Sequence, residues 1–246
     1  MSELRVIPLE GIPAVEEGAD LAELCAASAA RFGGLVDGDV LVVAQKAVSK
    51  AEGRVVALDD VEASPLAHAL AGDHDPRQLE LILRESARVV RMRPPLVIAE
   101  TRHGFVCASA GVDASNAPRA GTLVLLPVDP DASASRLRAG LAELTGRDVA
   151  VIVSDSFGRP WRHGTTDIAI GAAGLTPLLD LRGTRDSVGY ELRTTTIAVA
   201  DEIAGAAELV MGKVAGVPAA VVRGLAVVGE GSARDLVMPA ERDLFR

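Results

Sequence analysis

Mixed β-sheets with flanking helices are what this sequence predicts, and three observations carry the prediction. A continuous apolar run at 40–44 reads as a strand of the buried kind, and a short β-branched run from Val151 reads as another strand. Two further β-rich runs, 96–101 and 105–110, flank Arg102-His-Gly104 and read as an antiparallel hairpin. Around them lie helix-start signals at Asp20 with Glu23, Asp75-Pro76 and Asp131, each followed by helix-forming sequence. Strand–helix alternation beside a hairpin requires a sheet with both parallel and antiparallel neighbours.

In chain order, residues 4–8 read as a short strand entering the turn Leu9-Glu-Gly-Ile-Pro13. Asp20 and Glu23 form a capping-box signature for a helix that runs to Phe32 and is stopped by Gly33-Gly34. Asp37-Gly-Asp39 turns into the 40–44 strand, and the polar segment 45–53 puts Gln45, Lys46 and Lys50 at that strand's carboxyl end. Asp75-Pro76 opens a second helix, with Leu79, Ile82, Leu83, Val89 and Val90 as one apolar stripe and Pro94-Pro95 as its stop. The hairpin leads into the turn-formers 111–116, which include Asp113 and Asn116. A strand at 122–126 and a capped helix at 131–146 feed the 151–154 strand. That strand closes at Asp155 and Ser156 and opens into a Gly/Pro loop bearing Arg159, Arg162, His163 and the single Trp161.

Residues 168–174, apolar and glycine-punctuated, suit close backbone packing or a short buried strand. A β-rich run at 194–200 precedes a helix capped by Asp201, running through Met211 and ended by Gly212. The last strand is 217–224, with Pro218 near its start, where a missing donor costs least. The tail from Glu230 is polar and reads as surface. With no long linker and no repeat, residues 1–246 read as one catalytic unit.

Composition narrows the function. With 246 residues, 49% of them hydrophobic but only 2% aromatic, the core must be built from Ala, Val, Leu and Ile. No apolar run is long enough for a transmembrane helix, and the amino terminus lacks a basic start and an apolar segment of the signal-peptide kind. Cys25 and Cys107 show no pairing or metal spacing, so reduced thiols in the cytoplasm are expected. A net charge of -9 argues against nucleic acid, which needs a basic face. It does not exclude a small anion held by a local cluster such as Lys46/Lys50, Arg159/Arg162 or Arg182/Arg185.

Asp113, Asp155 and Ser156 offer the hard oxygen donors that magnesium or manganese takes, and ligands of open α/β sheets sit beyond strand carboxyl ends. Taken singly, each has an ordinary reading. Asp155 suits a turn or cap, Asp113 an Asx-turn with Asn116, Lys50 a solvated helix end and His163 a hydrogen-bonded loop residue. The common phosphate motifs are absent: Gly212-Lys213 is followed by Val214, and Gly229-Glu-Gly231 meets Arg234 where a glycine is needed. The four histidines show no zinc spacing.

Taken together, several blocks resemble one family, the coenzyme F420:gamma-glutamyl ligases. They are Leu9-Glu-Gly-Ile-Pro13, the 45–53 segment, 103–116, 126–131, 154–164 and 201–212, in the family's order over nearly the whole chain. The resemblance implies an α+β architecture, a homodimer, and GTP-dependent addition of L-glutamate to coenzyme F420-0, with further gamma-linked addition to F420-1, through an acyl phosphate. It implies that Asp113 and Asp155 hold a first divalent ion, Mg2+ or Mn2+, and Ser156 a second, with K+ as an optional further ion. Leu9, Glu10, Gly11, Ile12, Gln45, Lys46, Lys50, Asn116, Met211, Gly212 and Lys213 fall where the family contacts GTP. Arg159, Arg162 and His163 are added on charge grounds alone, as clamps for phosphate groups.

Two departures stand out. Lys213 lies where some members carry a ligand of the second metal, and an ammonium cannot ligate a cation. Ser109 stands where relatives often carry Asn. Some actinobacterial relatives continue into a flavin-binding, nitroreductase-like domain, and this chain is expected to be the ligase half of such a protein. The rival readings are a metal-dependent phosphohydrolase and a non-catalytic binding protein for an anionic cofactor.

Overall fold

The structure is a computed structural model and describes residues 3–244; residues 1–2 and the last two of the expected surface tail, 245–246, lie outside the described residues. The chain opens with β1 (Arg5–Pro8), α1 (Leu21–Ala30), β2 (Val40–Ala44) and α2 (Gln45–Ala51). A smaller lobe follows, with β3 (Val55–Ala57), α3 (Pro65–Ala71), α4 (Pro76–Glu85), β4 (Ser86–Arg93), β5 (Leu96–Thr101), β6 (Val106–Ala108) and β7 (Thr122–Val124). The chain then returns through α5 (Pro130–Thr145), β8 (Ala150–Arg159), β9 (Arg162–Ala173), β10 (Leu179–Asp180), β11 (Thr196–Ile197), α6 (Val199–Met211) and β12 (Ala219–Arg223). The fold class is α+β, as expected.

The larger lobe is organised by a five-stranded sheet in the order β1-β12-β2-β8-β9, in which only β2 and β8 run parallel. The apolar runs explain its centre. Along β2, Leu41 and Val43 enter one core with residues of α1, α2 and α5, while Val40 and Val42 enter the other with α6. In β8, Val151 and Val153 take the first face and Ile152 the second. Side chains alternate along a strand, so a strand covered on both faces must be apolar throughout.

Two close approaches fix the helices to this sheet. An added Cβ on Gly171 would lie 2.2 Å from the Pro130 carbonyl oxygen, so the glycine lets the start of α5 rest on β9. Asp131, expected to begin that helix as a cap, instead accepts the N–H groups of Ala172 and Ala233, each at 2.8 Å, and Asp129 is the cap. Asp201 likewise does not cap α6. The helix begins at Val199, and Asp201 accepts the Ala169 N–H at 2.9 Å, where a bulge makes Ile170 the extra residue of β9.

The smaller lobe packs α3, α4 and the sheet β4-β5-β6 around a third apolar cluster that includes Leu79, Ile82, Val97 and Leu123. Its expected long helix is corrected: α4 stops at Glu85, and Val89 and Val90 belong to β4. Pro94-Pro95 therefore form the turn between β4 and β5 rather than a helix stop. Beyond the hairpin, Ser109 and Ala110 both hold left-handed backbone, at φ 53° and 50°. That region costs an ordinary side chain about 1 kcal/mol and is tolerated best by Gly and Asn. Ser109→Asn is therefore expected to raise the urea midpoint by up to about 1 kcal/mol in unfolding free energy; an unchanged midpoint would show that the turn carries no strain. Among the described residues no helix is long and apolar enough to cross a membrane.

Candidate active site

A cleft of about 590 Å³ opens where β2 ends. At Ala44, paired with Ser154, β2 turns into α2, while β8 runs on for five residues beside β9. Asp155 thus lies beyond the carboxyl end of its parallel neighbour, but within a strand and not at the end of one. The cleft is lined by Gln45, Lys46 and Lys50 of α2, Ser154, Asp155 and Ser156 of β8, and Asp167 of β9. Glu208, Met211, Gly212 and Lys213 close it from α6 and its following turn, Ile12 borders it from the first turn, and Asn116 comes from the smaller lobe. A second hollow of about 440 Å³ beside α5 has its arginines, Arg138 and Arg147, paired to Asp148 and Asp37, and offers no comparable set.

The strand pleat sorts the β8 side chains. Ser154 and Ser156 share one face with Asp167, whose carboxylate accepts both hydroxyls, at 2.8 and 2.6 Å. Asp155 takes the opposite face, toward Cys107 on β6. Burial pushes the Cys107 thiol up to about 12, and the Asp155 charge adds to that shift. The Asp155 carboxyl keeps partial solvent contact in the cleft but is otherwise enclosed by protein. Burial pushes it up to about 7; the Ser156 N–H opposes the shift, Asp167 repulsion adds to it, and Lys46 and Lys213 oppose it.

Asp113 stands behind Lys46. Lys46 Nζ lies 2.5 Å from Asp113 Oδ2 and also reaches Ser115 Oγ. The Ser115 N–H donates to Asp113 Oδ1 at 2.7 Å, so Asp113 does make an Asx-type turn, with Ser115 rather than Asn116. Burial opposes its charge, but the Lys46 and Ser115 hydrogen bonds prevail and hold its carboxyl below the ordinary carboxylate value. Lys46 acts on both Asp113 and Asp155, so the two carboxylates converge on one lysine. Lys50 is lowered from the ordinary lysine value, by burial first and by the neighbouring Lys46 second.

Other predicted residues occupy mixed positions. Gln45 is buried and donates to Ser49 and to the Leu125 carbonyl. Asn116, in left-handed backbone at φ 56°, donates to the Lys213 carbonyl at 3.3 Å, tying the smaller lobe to the turn after α6. Leu9 points into the core; Glu10 is exposed, its carbonyl accepting Ser28 Oγ at 2.8 Å; Gly11 turns with φ 76°, against Arg31. Of Leu9, Glu10, Gly11 and Ile12 only Ile12 borders the cleft, next to Pro13.

Arg159 and Arg162 need correction. They flank the two-residue turn Pro160-Trp161 at the tip of the β8–β9 hairpin, exposed and outside the cleft lining, as is His163. The expected Gly/Pro loop is in fact paired strand. At roughly 3.3 Å per residue it carries Arg159 on the order of 13 Å beyond Asp155. Sequence reasoning missed Asp167, Ser154 and Glu208 in the cleft. A carboxylate heading the apolar 168–173 run was the available signal for Asp167, but only the hairpin register places it opposite Ser156.

The donor set fits a divalent ion in one particular way. Asp155, Ser156 and Asp113 are hard oxygen donors, but among the described residues no three His, Cys, Asp or Glu side chains are close enough to cage a metal. Magnesium is commonly held by one or two carboxylates and completed by waters and substrate phosphates, and this cleft suits that arrangement.

An α+β frame with one cleft in which carboxylates and hydroxyls face lysines from separate elements is that of an enzyme handling an anionic substrate, and comparison with known proteins specifies the class as a ligase. The chain belongs to the F420-0:gamma-glutamyl ligase family, whose model matches residues 11–224. It is 48% identical to the coenzyme F420:L-glutamate ligase of Methanopyrus kandleri over 99% of this chain and 98% of that one. It is 45% identical to the protein of the same name from Methanothermobacter thermautotrophicus, over 99% of each chain. The Methanocaldococcus jannaschii protein, also so named, is 44% identical over 85% of each.

Proposed function

We propose that this chain joins L-glutamate to coenzyme F420-0, and gamma-linked glutamate to F420-1, at the expense of GTP. The observation that supports this most is the meeting, in one cleft, of carboxylates (Asp155, Asp167) flanking the Ser156 hydroxyl and of lysines (Lys46, Lys50, Lys213), in a chain whose relatives are named coenzyme F420:L-glutamate ligases. Joining an amine to a carboxylate is uphill in water, so the carboxylate must be activated. Transfer of the GTP γ-phosphoryl group to the F420-0 carboxylate gives an acyl phosphate and GDP; attack by the glutamate amine then forms the amide and releases phosphate. Phosphoryl transfer asks the protein for positioning and charge neutralisation above all.

Divalent ions, a first at Asp155 with Asp113 behind Lys46 and a second at Ser156, would neutralise phosphate charge. Lys46 and Lys50, one turn apart on α2, supply fixed positive charge for the same phosphates. Gln45, Asn116 and the turn 211–213 border the space left for the nucleoside. The test is mass spectrometry of F420-0 incubated with protein, GTP, glutamate and manganese or magnesium. Added glutamyl units that disappear with a chelator are expected; none with the full set of reactants would overturn the reading. GTP breakdown that ignores glutamate would favour a phosphohydrolase instead.

Lys50→Ala is expected to weaken GTP binding by roughly tenfold, the loss of one charge-assisted contact of about 1.5 kcal/mol. An unchanged calorimetric titration would displace the nucleotide from α2.

A further inference from the structure

The β8–β9 hairpin carries one buried carboxylate to which the reaction above assigns no task. Asp167 is 6% exposed and borders the cleft, and among the described residues no cation pairs with it. Its two oxygens are divided between two hydroxyls. Oδ2 accepts Ser154 Oγ at 2.8 Å and Oδ1 accepts Ser156 Oγ at 2.6 Å. The arrangement is built into the pairing, because Ser156 and Asp167 are direct cross-strand partners and Ser154 lies two residues away on the same face.

A serine hydroxyl has one proton and two lone pairs, and an ionised carboxylate can only accept. With its proton committed to Asp167, Ser156 Oγ has nothing left to donate and presents lone pairs to the cleft. An oxygen in that state suits a cation and is unsuited to a phosphate oxygen, which needs a donor. The same cleft contains the Lys213 ammonium, and a cation site beside an ammonium needs compensating negative charge. Asp167 supplies it immediately behind the serine.

We propose that Asp167 is a positioning residue that takes the only hydroxyl proton of Ser156, making that oxygen an obligate acceptor toward the cleft and assigning it to a divalent cation rather than to phosphate. The inference rests on the metal-dependent reading of Asp155 and Ser156. Groups behind a metal ligand commonly contribute 10- to 100-fold to metal affinity. Asp167→Asn keeps the shape but removes the negative charge behind Ser156 and leaves one acceptor oxygen where two hydroxyls donate.

The test is Mn2+ titration of the full chain, followed by the electron paramagnetic resonance signal of the free ion, with melting temperatures taken in parallel. Asp167→Asn is expected to lose affinity by about 10-fold or more, and the Ser156→Ala/Asp167→Asn double variant to be no weaker than Ser156→Ala. Asp167→Ser, smaller and neutral, carries the same expectation should the Asn variant fail to fold. Unchanged Mn2+ affinity in a folded Asp167 variant, or losses that add in the double variant, would overturn the inference. Wild-type protein that takes up no Mn2+ would instead overturn the metal-dependent reading on which it rests.

Discussion

Asp155→Asn is expected to stop glutamate addition and, at the same time, to raise the melting temperature of the ligand-free protein at pH 8. Charge stabilisation at a phosphoryl-transfer centre amounts to several kcal/mol, so activity should fall by roughly a thousandfold. The stability gain follows from the environment of the carboxyl, which burial, with a smaller contribution from Asp167, pushes up to about 7. The folded state therefore binds this proton more tightly than the unfolded chain, whose Asp titrates near 4. Below that lower value Asp155 is protonated in both states and costs nothing; the cost grows as pH rises toward 7 and is constant above it. Its upper bound is about 4 kcal/mol for three pH units, and water in the cleft leaves only part of that. Because about 1 kcal/mol moves the melting temperature of a chain this size by roughly 2–4 °C, a gain of several degrees at pH 8 that vanishes by pH 4 is expected in scanning calorimetry. A variant that melts lower than wild type at pH 8, or that still adds glutamate, would contradict this account.

The same residue shows what the sequence made legible and what it hid. Residues 40–44 are readable as a buried strand because both faces of a covered strand must be apolar, and the β-branched residues 151–153 mark its parallel neighbour. The continuation of β8 through Arg159 was not, because past Ala44 it loses its parallel neighbour and one apolar cover, so its residues turn polar and imitate a loop. Pro160-Trp161 then reads as part of that loop when it is the hairpin turn itself. The error moved Arg159 and Arg162 to the cleft and left Asp167 out of it. A similar ambiguity affected 76–93, where Val89 and Val90 extend the apolar stripe of α4 although β-branched residues there favour the strand they form. α2 lacks any capping side chain at Ala44 and so gave no start signal. Asp155, Ser156, Lys46, Lys50 and Asn116 did converge, from residues distant in the chain, on one cleft.

The stability of that cleft depends on a contact at the other end of β2, where Arg223→Ala is expected to cost about 3–5 kcal/mol, the penalty for stranding a buried charge. Asp39 is fully buried, and Arg223 grips it with two parallel bonds of 2.7 Å while donating to the Gly34 carbonyl at 2.8 Å. The remaining donor to the carboxylate, the Val36 N–H at 2.9 Å, cannot neutralise it. Arg223→Lys should recover only part of the loss, because a single ammonium cannot match both carboxylate oxygens and a carbonyl as the planar fork does. Asp39→Asn in the Arg223→Ala background should also recover part, since the stranded charge is then gone. The pair joins the end of β12 to the start of β2, and β2 delivers Gln45 and Lys46 to the cleft only if it keeps its place beside β8. Urea unfolding should therefore register the loss, whereas KM for GTP, measured where the variant is still folded, should not change. A variant as stable as wild type would mean that the buried pair contributes little to holding the central strands together.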